Sequence, residues 1–250
     1  MLFRILRSVY AVYGVLVFLV HLMLFIPFLF LGLLIFGQRA IRPLIWYAHH
    51  GIAGVTLFLS GIWLRVKGRE LVRHDGPFII VSNHRSFLDI LIDAVCFPGG
   101  YKFLSKKEMV KVPVFGVLVK RMCILVDRKD AESRHQSFEN MKQALDDGFS
   151  VLLYPEGTRN RTPEVDRIKK YYDGAFRLAS ETGRPLAVIT LNDPGRHNDP
   201  IRELDLWPGW INCQWDLITD TQGRGIEDLK AETRKIMMAQ FVEEKLTVGQ

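Results

Sequence analysis

The stretch Val81-Ser82-Asn83-His84-Arg85-Ser86-Phe87-Leu88-Asp89 decides the fold. The short apolar run Pro77–Val81 leads into it. Phe87–Cys96 leaves it with helical character, until Phe97-Pro98-Gly99-Gly100 stops the run. A buried strand, a polar turn and a helix, in that order, form the repeating unit of an α/β domain. His84 and Asp89 stand five positions apart. On one continuous helix that separation is about 500° of rotation, and the two side chains would diverge. With His84 in the turn and Asp89 just inside the helix, they converge. Ser86-x-x-Asp89 has the form of a capping box, with Ser86 as N-cap and Asp89 as its slightly short partner. A histidine held by a carboxylate is a general base with its tautomer fixed. The same letters also describe a capped helix beside an ordinary turn histidine, so the surrounding sequence has to decide.

Downstream, strands and helices keep alternating. Tyr101–Leu104, Cys123–Val126, Phe149–Tyr154 and Pro185–Leu191 read as strands. Ser105–Met109 begins a short helix, while Ala131–Asp147, Gly174–Glu181 and Ile226–Glu244 read as further helices. Trp207–Asp216 reads as an edge hairpin. The expected fold is α/β, a mixed central sheet flanked by helices.

Upstream the character changes. From Ser8 to Gln38 there is no Asp, Glu, Lys or Arg, and Pro43–Leu64 is a second such stretch. As a helix the first would be about 46 Å long, against about 30 Å for a hydrocarbon core. It is too long for the apolar region of a signal peptide and lacks a small-residue cleavage site, so it is expected to be retained. Pro27 interrupts it, with Gly32 and Gly37 beyond, so a kinked or re-entrant helix competes with a straight span. Basic residues flank every boundary: Arg4 and Arg7, then Arg39 and Arg42, then Arg65, Lys67 and Arg69. A segment that dips into the bilayer and returns keeps all three clusters on one side. The expected organisation is a membrane-binding helical hairpin over residues 1–64, followed by an α/β domain over 65–250.

The chain has 250 residues and a net charge of +6, with 48% apolar residues. A basic chain suits nucleic acid or an anionic membrane. The two uncharged stretches favour membrane lipids, and no basic-aromatic pattern points to nucleic acid. Three widely separated cysteines, Cys96, Cys123 and Cys213, have neither disulfide-framework nor metal-ligand spacing and suit a reducing compartment. No metal site is expected.

A second polar turn, Glu156–Arg161, also follows an apolar strand. Ligands in open α/β sheets gather at the carboxyl ends of strands, so the two turns are expected to face one another. Gly157 allows close approach of a ligand to the backbone, and backbone N–H groups near it are candidate oxyanion donors. Arg159 offers a planar, permanently charged fork suited to phosphate. There is no Gly-x-Ser-x-Gly elbow, zinc-peptidase motif, P-loop or dinucleotide fingerprint to support another chemistry.

Together these motifs resemble the glycerolipid acyltransferases, the lysophosphatidic acid acyltransferase family in particular. Asn83–Asp89 resembles the first motif, the His-x4-Asp motif, and Pro155-Glu156-Gly157-Thr158-Arg159 the third. Lys106-Lys107-Glu108 with Pro113, Gly116 and Asp127-Arg128 resembles the second, and Pro185–Leu191 occupies the place of the fourth. The resemblance covers roughly Leu64 to Leu191, and nothing beyond Asn192 adds to it. The family often continues from its third motif into an aromatic-Lys-x-Gly step. Here that step reads Tyr171-Tyr172-Asp173-Gly174, with Lys169 and Lys170 displaced upstream.

The resemblance implies a membrane-bound enzyme that moves a fatty acyl group from an acyl thioester to the sn-2 hydroxyl of lysophosphatidic acid, giving phosphatidic acid for phospholipid biosynthesis. His84 and Asp89 would be catalytic. Arg159 and Arg128 would bind phosphate and Glu156 the glycerol backbone, with Gly157, Thr158 and Lys106 completing the substrate site. No cofactor is expected; acyl-CoA or acyl carrier protein would be the co-substrate, and the lysophospholipid the acceptor. The expected location is the cell membrane, the inner membrane with the catalytic domain on the cytoplasmic face. The altered Tyr172-Asp173 step keeps a lyso-aminolipid acceptor open, and water in place of the alcohol would give a lipid hydrolase.

Overall fold

The computed structural model describes residues 2–73, 76–111, 115–127, 129–162, 167–192, 194–199, 201–202 and 204–248; the side chains of 38, 39, 115, 117, 118 and 242–248 are outside the description. Arg128 and Pro113 therefore fall outside the described residues.

The chain opens with α1 (Leu2–Phe36), continuous through Pro27. Proline removes one helical hydrogen bond, which left a kinked or re-entrant helix in competition with a straight span. Packing on both sides holds the helix together: Phe25 and Leu29 are buried against Ile52, and Phe25 stacks on Tyr47 at 5.2 Å. A tight turn at Gly37–Ala40, with Gly37 at φ +55°, reverses the chain. The returning arm is α2 (Ile41–Tyr47), a π-helical turn (Ala48–Ala53) and α3 (Gly54–Leu59). The arms run antiparallel, since Tyr13 bonds the Leu59 carbonyl while Phe25 meets Tyr47.

The α/β part holds seven strands: β1 (Ile62–Lys67), β2 (Ile79–Ser82), β3 (Tyr101–Lys106), β4 (Ile124–Val126), β5 (Ser150–Leu153), β6 (Leu186–Asn192) and β7 (Gly209–Ile218). They line up in the order β1-β7-β6-β2-β5-β3-β4. Strands β6, β2, β5, β3 and β4 run parallel, β7 is antiparallel to β6, and β1 is parallel to β7. The sheet is mixed, as expected.

Three local readings change. Trp207–Asp216 is no edge hairpin; it lies mainly in β7, a single strand between β1 and β6. Strand β1 went unread because its apolar start merges with the uncharged stretch before it, and it pairs with β7 far along the chain. Residues Ser105 and Lys106 extend β3, and a short 3-10 turn, Lys107–Lys111, takes the place of the helix.

Strand β2 shows how the sheet is filled. Ile80 faces one core with Phe97, Leu152 and Trp215, whereas Ile79 and Val81 face the other with Leu145, Val151 and Phe176. The first core is covered by α3, α4 (Leu88–Cys96) and part of α1. The second is covered by α6 (Ala131–Asp146), α7 (Gly174–Thr182) and α8 (Ile226–Val248). With both faces covered, β2 and β6 are buried along their whole lengths. Between β3 and β4 lies α5 (Phe115–Met122).

Strands β2 and β5 are parallel neighbours, with Val81 beside Leu153. The turns that leave their carboxyl ends therefore start about 4.8 Å apart.

Candidate active site

The His84 turn is built by the strand that enters it and the helix that leaves it. Asn83 is clamped to the end of β6: its Nδ2 donates to the Leu191 carbonyl at 3.0 Å, and its Oδ1 accepts from the Leu191 N–H at 2.8 Å. At the other end the expected capping box forms only in part, with the helix cap at Phe87. The Ser86 Oγ accepts from the Leu88 N–H at 3.0 Å, and Asp89 Oδ2 accepts from the Ser86 N–H at 2.8 Å. That same oxygen accepts from the Arg85 N–H at 2.6 Å and meets His84 Nδ1 at 2.8 Å.

Asp89 is 0% exposed, so its carboxylate is oriented by backbone that cannot move away. A carboxylate already accepting two backbone N–H groups needs a donor from the imidazole, which places the proton on Nδ1 and leaves the lone pair on Nε2. The sequence paired these residues, and the structure brings them together.

Two neighbours of His84 were not read from the sequence. The Tyr154 ring stacks on the imidazole, with centroids 4.0 Å apart and planes 18° apart. The Tyr154 hydroxyl donates to Asp93 Oδ2 at 2.8 Å, and Ser82 Oγ donates to Oδ1 at 3.1 Å. Burial, and secondarily the nearby Asp89, push the Asp93 carboxyl well above the usual carboxylate range. The available signal was Asp93 itself, a second carboxylate one turn after Asp89 in an otherwise apolar helix.

The turn after β5 meets the first one through Glu156. Its Oε1 accepts from the His84 N–H and its Oε2 from the Lys169 N–H, each at 2.9 Å. Burial raises its carboxyl, and the two N–H donors oppose that shift. Glu156 is 2% exposed with both oxygens engaged, so its geometry is that of a clamp on the backbone of His84. The Asn160 N–H adds a bond of 2.6 Å to the His84 carbonyl.

Gly157 sits at φ +67°, where a Cβ would come within 2.7 Å of the Tyr172 ring. Its N–H donates to the Tyr154 carbonyl at 2.9 Å. That group closes the turn. Thr158 is exposed. The Arg159 guanidinium lies over the Phe87 ring at 3.7 Å from its centroid, so it crosses to the His84 turn. Lys106 ends β3, exposed, at the same carboxyl edge but separated from β2 by β5, roughly 10 Å between strand axes. Arg128 lies outside the described residues.

The altered step after the third motif also has a definite geometry. The Lys169 ammonium reaches back to the Arg159 carbonyl at 3.1 Å. Asp173 instead pairs with Lys230 of α8. Tyr172 is 70% exposed beside Gly157.

The Acyltransferase family model matches residues 64–192. The chain is 35% identical over 133 residues to the chloroplastic 1-acyl-sn-glycerol-3-phosphate acyltransferase BAT2 of Brassica napus, covering 52% of this chain and 38% of that protein. It is 30% identical over 138 residues to the 1-acyl-sn-glycerol-3-phosphate acyltransferase of Borreliella burgdorferi, covering 55% of this chain and 54% of the relative. The chain thus spans between about two fifths and three fifths of the length of the curated relatives it matches. The fold is similar to that of the 1-acyl-sn-glycerophosphate (LPA) acyltransferase PlsC from Thermotoga maritima, with a TM-score of 0.73 over 95% of this chain and 98% of that one. At 19% identity, this is likeness of fold.

Proposed function

Since the chain belongs to the Acyltransferase family, we propose that it transfers a fatty acyl group from an acyl thioester to the sn-2 hydroxyl of lysophosphatidic acid. The observation that carries this reading is the contact of His84 Nδ1 with Asp89, which leaves Nε2 as a base at the carboxyl edge of the sheet. Nε2 takes the proton of the acceptor hydroxyl while its oxygen attacks the thioester carbonyl. The tetrahedral intermediate collapses, the carbon–sulfur bond breaks, and the imidazolium returns the proton to the leaving thiolate. Asp89 orients the ring and stabilises its cationic form. General-base action of this kind is worth about 10²–10⁴-fold, and positioning contributes the rest. No nucleophilic serine is needed, because the thioester is already activated.

Arg159 and the Lys169 ammonium give the second turn its positive charge, suited to the acceptor phosphate. Lys106 leaves the same edge of the sheet and extends that charge, and the family resemblance adds Arg128 to the phosphate site. Glu156 contributes by fixing His84. The pairing of Asp173 with Lys230 removes a negative charge from the acceptor's neighbourhood, which favours a phosphate over an aminolipid headgroup.

The protein works at a membrane surface. Helix α1 is long and apolar enough to cross a bilayer, yet only 17% of its most apolar window is buried within the protein. Leu16, Val20, Met23, Leu24, Phe28 and Leu31 are exposed along it. The hairpin is fastened to the α/β domain near both ends, by Arg7 on Asp205 and by Arg42 over Phe149 at 4.7 Å. This favours a hairpin lying in the interface, with the active site at headgroup depth on the cytoplasmic side of the cell membrane. The three cysteines are free, in keeping with that compartment.

The test is acyl transfer by purified protein, with acyl-CoA and acyl carrier protein as alternative donors. Lysophosphatidic acid and a lyso-aminolipid serve as competing acceptors. Acylation of the phosphate acceptor is the expected result. Acylation of the aminolipid alone, or release of free fatty acid alone, would overturn it.

A further inference from the structure

The segment between β6 and β7 lies beyond the matched family region, yet it touches both the catalytic turn and α1. Asn198 accepts from Ser86 Oγ at 2.8 Å and from the Phe87 N–H at 3.4 Å through Oδ1, and its Nδ2 donates to the Asp205 carbonyl. The partners dictate this amide orientation, since the Phe87 N–H can only donate and the Asp205 carbonyl can only accept. The Asp205 carboxylate, 1% exposed, receives a bidentate Arg7: Nε to Oδ1 at 2.6 Å and Nη2 to Oδ2 at 2.5 Å. Arg7 also donates to the Arg196 carbonyl at 3.0 Å, and Ser8 Oγ to the Leu204 carbonyl at 3.0 Å. The first turns of α1 are therefore stitched to this segment along its length.

These contacts form one unbroken path. Arg7 holds Asp205, Asp205 is bonded by Asn198, Asn198 by Ser86, and the Ser86 N–H shares the Asp89 oxygen with His84 Nδ1. The sheet and the turn after β5 hold the other end of the catalytic turn, through Leu191 on Asn83 and Glu156 on His84. Its Ser86–Phe87 end is held by Asn198.

We propose that Asn198 is a positioning residue for His84, and that the Arg7–Asp205 pair couples it to α1, so that the seating of the apolar helix sets the geometry of the catalytic turn. The proposal rests on His84 being the base. A misplacement of about 1 Å at a reacting group costs on the order of 10²-fold in rate, so small displacements along this path reach turnover. An enzyme wired in this way works best when α1 is seated on lipid.

The test compares wild type with Arg7→Gln, Arg7→Lys and Asn198→Asp in the full chain. Asn198→Asp keeps the acceptor for Ser86 and Phe87 but removes the donor to Asp205. Arg7→Gln should lower kcat about tenfold, with KM and binding to phosphatidylglycerol vesicles within about twofold of wild type. Asn198→Asp should do the same, and Arg7→Lys should recover most of the loss. The nitrogen resonances of the His84 ring, identified by their disappearance in His84→Ala, should shift in Arg7→Gln and Asn198→Asp. That readout needs no turnover, so it stands even if wild type acylates no lysolipid, in which case the proposed function fails instead. Unchanged His84 resonances in folded variants, or a loss of activity that follows vesicle binding alone, would overturn the coupling.

Discussion

The His84 turn and helix α1 depart from the usual partition of side chains in opposite directions. Around His84 the polar groups are inside: Asn83, Ser86, Asp89, Asp93, Glu156 and Asn160 are all buried. Along α1 the apolar groups are outside, with Leu16, Leu24 and Phe28 among those more than half exposed. Buried polar groups are tolerated only when they are hydrogen-bonded. Here each of the six side chains has a partner: Asp89 and Glu156 in the backbone of the His84 turn, Asn83 in β6, Ser86 in Leu88 and Asn198, Asp93 in Ser82 and Tyr154, and Asn160 in Thr162. Broad exposed apolar faces on one helix mark a surface that meets something other than water. One region is built for rigidity and the other offers an apolar surface, and substitutions in each should read differently.

The largest effect belongs to the turn. His84→Ala and Asp89→Asn should each lower kcat by about 10²–10⁴-fold without changing vesicle binding, checked by initial rates and co-sedimentation. Glu156→Gln comes next. An amide retains one acceptor oxygen but presents an NH2 group to the other backbone N–H, either that of His84 or that of Lys169. It should cost about 1–3 kcal/mol of stability, and kcat should fall roughly tenfold or more, read from denaturation midpoints and rates together.

On the other region, Leu16→Glu and Phe28→Glu should each weaken partition into vesicles by on the order of tenfold, because each removes an apolar contact worth about 1.5–3 kcal/mol. Turnover on vesicles should fall along with partition, and saturating detergent, which seats α1 in place of lipid, should restore that of wild type. A loss that persists in detergent would mean that the substitutions act on the fold and not on the seating of α1.

The smallest effect is on stability with pH. Burial raises the Asp93 carboxyl, so between its unfolded and folded pKa values the folded protein binds more protons than the unfolded chain. Stability from this group therefore falls as pH rises through that window. Asp93→Asn should flatten the fall, measured as denaturation midpoints at mildly acidic and mildly alkaline pH, with Tyr154 still stacked on His84.

The same contrast explains what could be read from residues alone. The β2–turn–α4 unit was legible because strand, cap and helix signals are local, and Ser86 and Asp89 announce their own bonds. The two facing turns followed from the rule that sites collect at carboxyl ends of strands. The apolar helix declared itself by its lack of charge, although the fate of Pro27 depended on Phe25 and Leu29 finding Ile52 across the hairpin. Strand β1 and the place of β7 were hidden because they pair with each other across the length of the chain. Asn198 and Asp205 carry no local signal at all; only the fold brings them to Ser86 and Arg7. Asp93 was visible as an oddity, but its bond to Tyr154 crosses from α4 to the end of β5.

The most direct test of the central claim is mass-spectrometric detection of phosphatidic acid made from lysophosphatidic acid and an acyl thioester, by wild type and by His84→Ala. Wild type should form the product, and the variant, though folded and membrane-bound, should form on the order of a hundredth of it or less. Equal product from both proteins would contradict the account, as would none from wild type with either class of donor.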